Sequence, residues 1–209
     1  MTTALLQTTY FGPIQWYQKL YRYDHSMIEQ YDSFQKQTYR NRCVIATANG
    51  VQALTVPVEH TNLSPLTSHL SPLVKDLRIS DHNQWRRVHW NALQSAYSES
   101  PFFEYYADDL HPFFEQKYDY LLDFNESIRQ KVCELLDIHP DVSYTLDFRH
   151  QTSDITDYRD VINAKHPLPD ADFTPKAYWQ VFQHKHGFLP NLSILDLLFN
   201  MGPESVFFL

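Results

Sequence analysis

Hydrophobic and polar positions change period several times along this chain, and each change marks an expected element. Ala4-Leu5-Leu6-Gln7 is a short apolar run of the kind a buried strand carries. Gly12-Pro13 then interrupts the chain, and Pro13 suits the first turn of a helix reaching about Tyr21. Asp24 through Tyr31 is expected as a second strand. Cys43-Val44-Ile45-Ala46-Thr47 and Val51-Gln52-Ala53-Leu54-Thr55-Val56 flank Ala48-Asn49-Gly50. Asn49 and Gly50 tolerate the two positive φ values of a tight turn, so this pair of runs is expected as an antiparallel hairpin. Lys75 to Ile79 is expected as a further strand.

The period then lengthens. Asp81 and Gln84 have capping-box spacing, and Trp85, Val88, His89, Ala92, Leu93 and Ala96 follow on one helical face. A second helix is expected from Pro112 to Leu122, and a third presents Ile128, Val132, Leu135 and Leu136 together. Val142 to Leu146 reads as a strand, and residues 147–174 as a polar connection. Thr174-Pro175 has the form of a helix start, and Asn191 is placed to cap a last helix ended by Gly202-Pro203. No repeat, low-complexity run or Gly/Ser linker divides residues 1–209. The expected fold is a single α/β domain with a mixed sheet containing the Asn-Gly hairpin and a helical middle section.

Composition narrows the functional classes. The formal net charge is -8, from 17 Lys plus Arg against 25 Asp plus Glu, so no global field favours nucleic acid or an anionic membrane. An anion must be held by a local cluster. Aromatic residues reach 15%, which argues for a packed core. No window approaches ~18 consecutive apolar residues, and the start lacks the pattern of a signal peptide, so the cytoplasm is the expected location. Cys43 and Cys133 form no metal or redox motif and are expected as reduced, buried thiols.

Three stretches carry candidate chemistry. In Lys36-Gln37-Thr38-Tyr39-Arg40-Asn41-Arg42, an extended chain would put Lys36, Thr38, Arg40 and Arg42 on one face. Three cations there would grip phosphate or carboxylate, although the same pattern fits an edge strand protected by charge. His89 lies on the apolar stripe of its helix, either as a core histidine or as a general base, with Arg86, Arg87 and Trp90 beside it. Asp196 stands among Ile194, Leu195, Leu197, Leu198 and Phe199, with Ser193 and Asn191 just before it at an expected helix start. Such a carboxylate needs a partner, so it is either catalytic or the centre of a buried network. His184 and His186 are the only close histidine pair, and no further ligand is spaced to complete a metal site. No Gly-rich phosphate loop, GxSxG elbow or HExxH motif is present.

The residues also carry a resemblance. Tyr10-Phe11-Gly12-Pro13, Gln35-Lys36, Arg40-Asn41-Arg42, Thr55-Val56-Pro57-Val58, Trp85, His89, Tyr97 and Pro101-Phe102-Phe103 together resemble the WbqC-like protein family. His186-Gly187-Phe188-Leu189-Pro190-Asn191-Leu192-Ser193-Ile194-Leu195-Asp196 resembles its shorter branch, common in Bacteroidetes-type genomes. The resemblance implies a place in O-antigen and related surface polysaccharide synthesis, with glycine transfer suggested for some members. More distant members have a His-Gln-Pro segment where this chain has Gln7-Thr8-Thr9 before Tyr10, which puts their activity in doubt here.

Two functions remain open on these grounds. One is a group transferase moving an aminoacyl group onto a sugar. In it His89 and Asp196 are the catalytic candidates. Lys36, Arg40, Arg42, Gln35, Tyr39, Trp85, Trp90, His186, Asn191 and Ser193 bind an anionic small molecule. The other is a non-catalytic module for an anionic ligand or a protein partner. Neither reading names a cofactor, a metal or an oligomeric state.

Overall fold

The computed structural model describes residues 2–59, 72–146 and 154–209. Its strands are β1 (Thr3–Gln7), β2 (His25–Glu29), β3 (Arg42–Thr47), β4 (Gly50–Thr55), β5 (Val142–Tyr144) and β6 (Ile155–Asp157). The helices are α1 (Ile14–Arg22), α2 (Trp85–Tyr97), α3 (Phe103–Leu110), α4 (Pro112–Glu115), α5 (Leu121–Leu135), α6 (Gln183–His186) and α7 (Ile194–Met201). The α/β class holds, but the sheet is not mixed. Four strands in the order β5-β2-β1-β6 are all parallel, and β3-β4 form a separate antiparallel pair. Both edges of β1 are taken by β2 and β6, which leaves the hairpin no place beside it. The free side of β3 is closed by other means: Val44 O accepts Ser193 N at 2.8 Å, and Ala46 N donates to the Tyr97 hydroxyl at 3.2 Å.

Within the hairpin, Thr47 pairs with Gly50, so Ala48 and Asn49 make the turn. Only Gly50, at φ 107°, takes a positive value, where two were expected. The Thr47 hydroxyl holds the turn by donating to Gly50 O at 2.8 Å and accepting from Asn49 N at 3.2 Å.

Side chains alternate across the parallel sheet and give it two unlike faces. One face carries Ala4, Leu6 and Ile28, which join a core with Trp16, Tyr17 and Leu20 of α1. The other carries His25, Met27, Glu29, Gln7, Ser143 and Asp157, and its polarity rises toward the carboxyl ends of the strands. Aromatic rings fill the main core: Phe11 stacks on Phe114 at 6.0 Å and Tyr10 on Phe124 at 5.7 Å. The Cys43 and Cys133 thiols are free and buried there.

Several local expectations are corrected. Lys75–Ile79 is not a strand: Val74–Asp76 form a 3-10 turn, then Arg78 and Ile79 make single bridges to Tyr120 and Val58. Val74 and Leu77 are both buried, a three-residue spacing that suits a 3-10 turn and not a strand. Asp81 does not cap α2, because Asn83 and Gln84 take φ 62° and 49° and turn the chain. Its carboxylate takes Arg86 at 2.5 Å and Lys117 at 2.8 Å instead. The helix expected over Pro112–Leu122 is the single turn α4, and α3 precedes it unforeseen, ending at Leu110 with His111 between the two. β6 lies inside the expected polar connection; three residues are too few to show a period. No helix starts at Thr174-Pro175, since the chain there turns Tyr178 and Gln180 inward.

Those two residues serve the most enclosed carboxylate of the main core. Every residue of α7 from Ile194 to Asn200 is buried, so the helix needs no polar face. Its Asp196 is 1% exposed. The carboxylate accepts from Tyr97 Oη at 2.8 Å, Tyr178 Oη at 2.6 Å and Gln180 Nε2 at 3.0 Å. Ser193 caps α7 by accepting from Leu195 N at 3.3 Å. Asn191, expected in that role, has φ 53° and instead accepts Gln15 N at 2.9 Å at the start of α1. Asp196→Ala would leave the buried Tyr97 and Tyr178 hydroxyls without an acceptor, while Gln180 Nε2 keeps Leu189 O at 2.9 Å. It is expected to cost roughly 3–5 kcal/mol in urea unfolding, with Asp196→Asn intermediate.

Candidate functional site

The basic stretch is not extended. Gln37 takes φ 64° and the chain turns, which ends the period of two. Gln35 and Lys36 are exposed, while the Thr38 hydroxyl folds back onto Gln35 O at 3.0 Å. Tyr39 is half-buried, and its carbonyl accepts Tyr10 N at 2.9 Å. Arg40 turns inward and reaches Asp32 at 2.9 Å with 5% of its side chain exposed. Burial lowers the Arg40 pKa and Asp32 works against that shift. Arg42 opens β3 and contacts the Thr55 hydroxyl at 3.3 Å. The three cations thus have three different environments: solvent, interior and the hairpin surface.

His89 is a core residue. Its Nδ1 accepts from Tyr10 Oη at 2.9 Å, and the ring also bonds the Thr55 backbone, an arrangement that places the proton on Nε2. Trp85 lies against the ring at 5.1 Å and donates its own N–H to Ser80 O at 3.0 Å. Burial pushes the His89 pKa down to about 4, so the imidazole is neutral near pH 7. With both nitrogens occupied, it has no lone pair to offer a substrate. Arg86, expected beside it, stacks over Trp85 at 4.6 Å. Trp90 packs on His111 at 4.5 Å and on Phe103 and Phe114, and so is no open stacking platform.

The C-terminal candidates are fasteners. His186 Nε2 donates to Thr47 O at 3.1 Å and Lys185 Nζ to Ala48 O at 2.5 Å, which fixes the hairpin turn. The Ser193 hydroxyl donates to Phe11 O at 2.7 Å. Asn191 Nδ2 donates to Gln15 Oε1 at 3.0 Å.

A different cluster forms where the parallel strands end. In open α/β sheets, ligands bind outside the carboxyl ends, where consecutive connections leave in opposite directions. Here that point is β1, with β2 on one side and β6 on the other. Gln7 and Glu29 are register partners and so share a face. Leu5 pairs with Asp157, and the chain beyond keeps to β1 through Tyr158 N donating to Leu5 O at 2.9 Å. Arg159 therefore comes up on the Gln7 side. From there it reaches Asp157 at 2.7 Å, Asp32 at 3.0 Å and Glu29 at 3.5 Å. Asp32 bridges Arg159 to Arg40. The Glu29 Oε1 atom accepts Tyr31 N at 2.6 Å and the Thr145 hydroxyl at 3.1 Å.

The hydrogen bonds that Arg159 donates to Asp157 come first in raising the Arg159 pKa, so the guanidinium stays charged. Burial would raise the Asp157 pKa, but its bonds with Arg159 hold it below the usual carboxylate range. Two acceptors in the cluster remain without a hydrogen bond, Gln7 Oε1 and Glu29 Oε2, both buried. Of the expected site residues only Arg40 belongs here. Gln7, Glu29, Asp32, Asp157 and Arg159 were missed, although polar residues closing apolar runs, as Gln7 and Glu29 do, are a legible signal of strand ends.

The model of the WbqC-like protein family matches residues 7–169, and the chain belongs to that family. The match includes every residue of the sheet-end cluster and stops before Asn191, Ser193 and Asp196. The chain is also similar to the "Uncharacterized protein Rv1507c" of Mycobacterium tuberculosis (strain ATCC 25618 / H37Rv). The two are 26% identical over 225 residues, covering 97% of this chain and 94% of that protein. No solved structure matches.

The neutral core imidazole has a pH signature. The unfolded chain binds a proton at His89 near the ordinary value of 6.5, whereas the folded chain does so only at about 4. Stability is therefore full above that window and falls as pH drops through it, by roughly 3 kcal/mol for this group. His89→Gln is expected to flatten the loss between pH 6.5 and 4 in urea titrations.

Proposed function

We propose that this protein is a group transferase that holds its substrates at the carboxyl ends of β1, β2 and β6. The observation that carries the reading is the Glu29–Arg159–Asp32–Arg40 cluster at the turning point of the parallel sheet. A phosphate- or carboxylate-bearing small molecule is its ligand, and Arg159 is the cation that meets it. Its side chain is 23% exposed, while that of Arg40 is nearly enclosed. Family membership supports the finer reading, aminoacyl transfer, such as glycine, onto a sugar during surface polysaccharide synthesis in the cytoplasm. Among the described residues no helix is long and apolar enough to cross a membrane. Lys36 and Arg42, exposed or half-exposed next to this region in sequence, are proposed as peripheral contacts for the anion. Glu29 takes the place His89 and Asp196 cannot fill, as the carboxylate with an oxygen to spare.

One observation favours a second reading, a binding module without turnover. Both proton-transfer candidates of the sequence are closed inside the core, and each is fully engaged there.

Thermal shift against nucleotide sugars, aminoacyl adenylate analogues and free amino acids tests the site, because a ligand that binds only the folded state raises Tm. Arg159→Ala is expected to weaken an anionic ligand by roughly ten- to a hundredfold, the value of one charge-assisted contact. Lys117→Ala, remote at Asp81, should leave it unchanged. Product formation from a binding pair supports the transferase, and binding without product supports the module.

A further inference from the structure

We infer that the sheet-end site selects a ligand carrying a primary ammonium group, bound between Gln7 and Glu29. The inference rests on the reading that ligands occupy this edge of the sheet.

Gln7 and Glu29 are partners on adjacent parallel strands, so their side chains rise from the same face about 5 Å apart. Each is pinned by one end. Gln7 Nε2 donates to Ile162 O at 2.5 Å, which directs Oε1 the other way. Glu29 Oε1 is held by Tyr31 N and the Thr145 hydroxyl, which directs Oε2 away from them. The two remaining oxygens, Gln7 Oε1 and Glu29 Oε2, are buried and accept no hydrogen bond. Both are acceptors, so the group that suits them is a donor.

Charge decides which donor. Glu29, Asp32 and Asp157 are three carboxylates paired with two guanidiniums, Arg40 and Arg159, and Asp160 adds a further negative charge near Arg40, so negative charge is in excess. An ammonium offers three N–H donors and a full positive charge, enough for both oxygens with one to spare. A hydroxyl offers one donor and no charge. An anion at this depth would lie against Glu29.

Arg159 is also built to yield. It is held by Asp157 through Nε and Nη2 and by Asp32 at 3.0 Å, whereas its distance to Glu29 is 3.5 Å. A ligand ammonium can replace that last contact while the guanidinium keeps its other partners. The anionic part of the same or a second substrate then meets Arg159 from outside.

The test is a matched set: glucosamine and galactosamine, their N-acetyl forms, and glucose and galactose, each titrated by calorimetry at pH 7. The free amines are expected to bind at least tenfold tighter than their N-acetyl and hydroxyl counterparts. Glu29→Gln turns the spare acceptor into a donor and should erase that preference. Asp137→Asn removes the same charge at the opposite ends of the strands, where Asp24 and Asp141 line an open cleft, and should preserve it. If Glu29→Gln lowers Tm too far to titrate, Gln7→Met removes the other acceptor and should reduce the preference on its own. Equal binding of amine and N-acetyl sugar, or a preference that survives both substitutions, overturns the ammonium assignment. Anions that bind in an Arg159-dependent way while no amine does would overturn it too, with the sheet-end site left standing. If neither amines nor anions respond to Arg159→Ala or Glu29→Gln, the site reading falls as well.

Discussion

Removing carboxylates from water is the constraint around which this protein is organised, and Asp196 and Glu29 are the two most enclosed among the described residues. Burial raises the Asp196 pKa, and the hydrogen bonds of Tyr178, Tyr97 and Gln180 oppose the shift. No cation takes part in those contacts. The donors come from α2 and from the 178–180 segment, and Tyr97 also binds β3 through Ala46 N. The carboxylate therefore ties the hairpin, the middle helices and the C-terminal helix to one point. Neutral donors in a packed core hold this carboxylate in place, so the arrangement stabilises the fold.

The sheet-end carboxylates meet the same constraint by other means. Glu29, Asp32 and Asp157 share two guanidiniums, and the outer one remains partly in water. An ion pair at such a boundary can trade one partner for a ligand group at small net cost, because the guanidinium loses little solvation in the exchange. The contrast between Asp196 and Glu29 is thus one of partners, since both carboxylates are fully buried. It explains why the C-terminal stretch that draws attention in the sequence is structural, and why an unremarked Glu at a strand end is the better functional candidate.

Much of the fold was legible. β1, α1, β2, β5, α5 and the β3-β4 hairpin follow from apolar runs and helical spacing, although the hairpin turns at Ala48-Asn49 and not at Asn49-Gly50. What escaped was set by tertiary contacts. Three residues of β6 exist as a strand only because β1 offers a free edge, and the helix expected over Pro112–Leu122 stops after one turn, at Gln116, where the backbone becomes extended. The site was less legible. Period-two spacing placed Lys36, Arg40 and Arg42 together, but a left-handed residue at Gln37 undid the period before it reached Arg40. His89 and Asp196 stood out because polar residues on apolar stripes are conspicuous. The same burial that makes them conspicuous closes them to solvent.

The polarity of the second sheet face is the remaining consequence. A parallel sheet is ordinarily apolar on both sides. Here the last row across the strands brings Glu29, Gln7 and Arg159 side by side, with Thr145 bonded to Glu29 from the β5 side. Hydrophobic packing on that row would have stabilised the domain more, since buried ions and amides rarely repay their desolvation. The opposite face, with Ala4, Leu6 and Ile28, already anchors the sheet to α1 and the main core. The apolar packing thus lies on one face, and the other buries Gln7 and Glu29 beside Arg159 at the carboxyl ends of the strands.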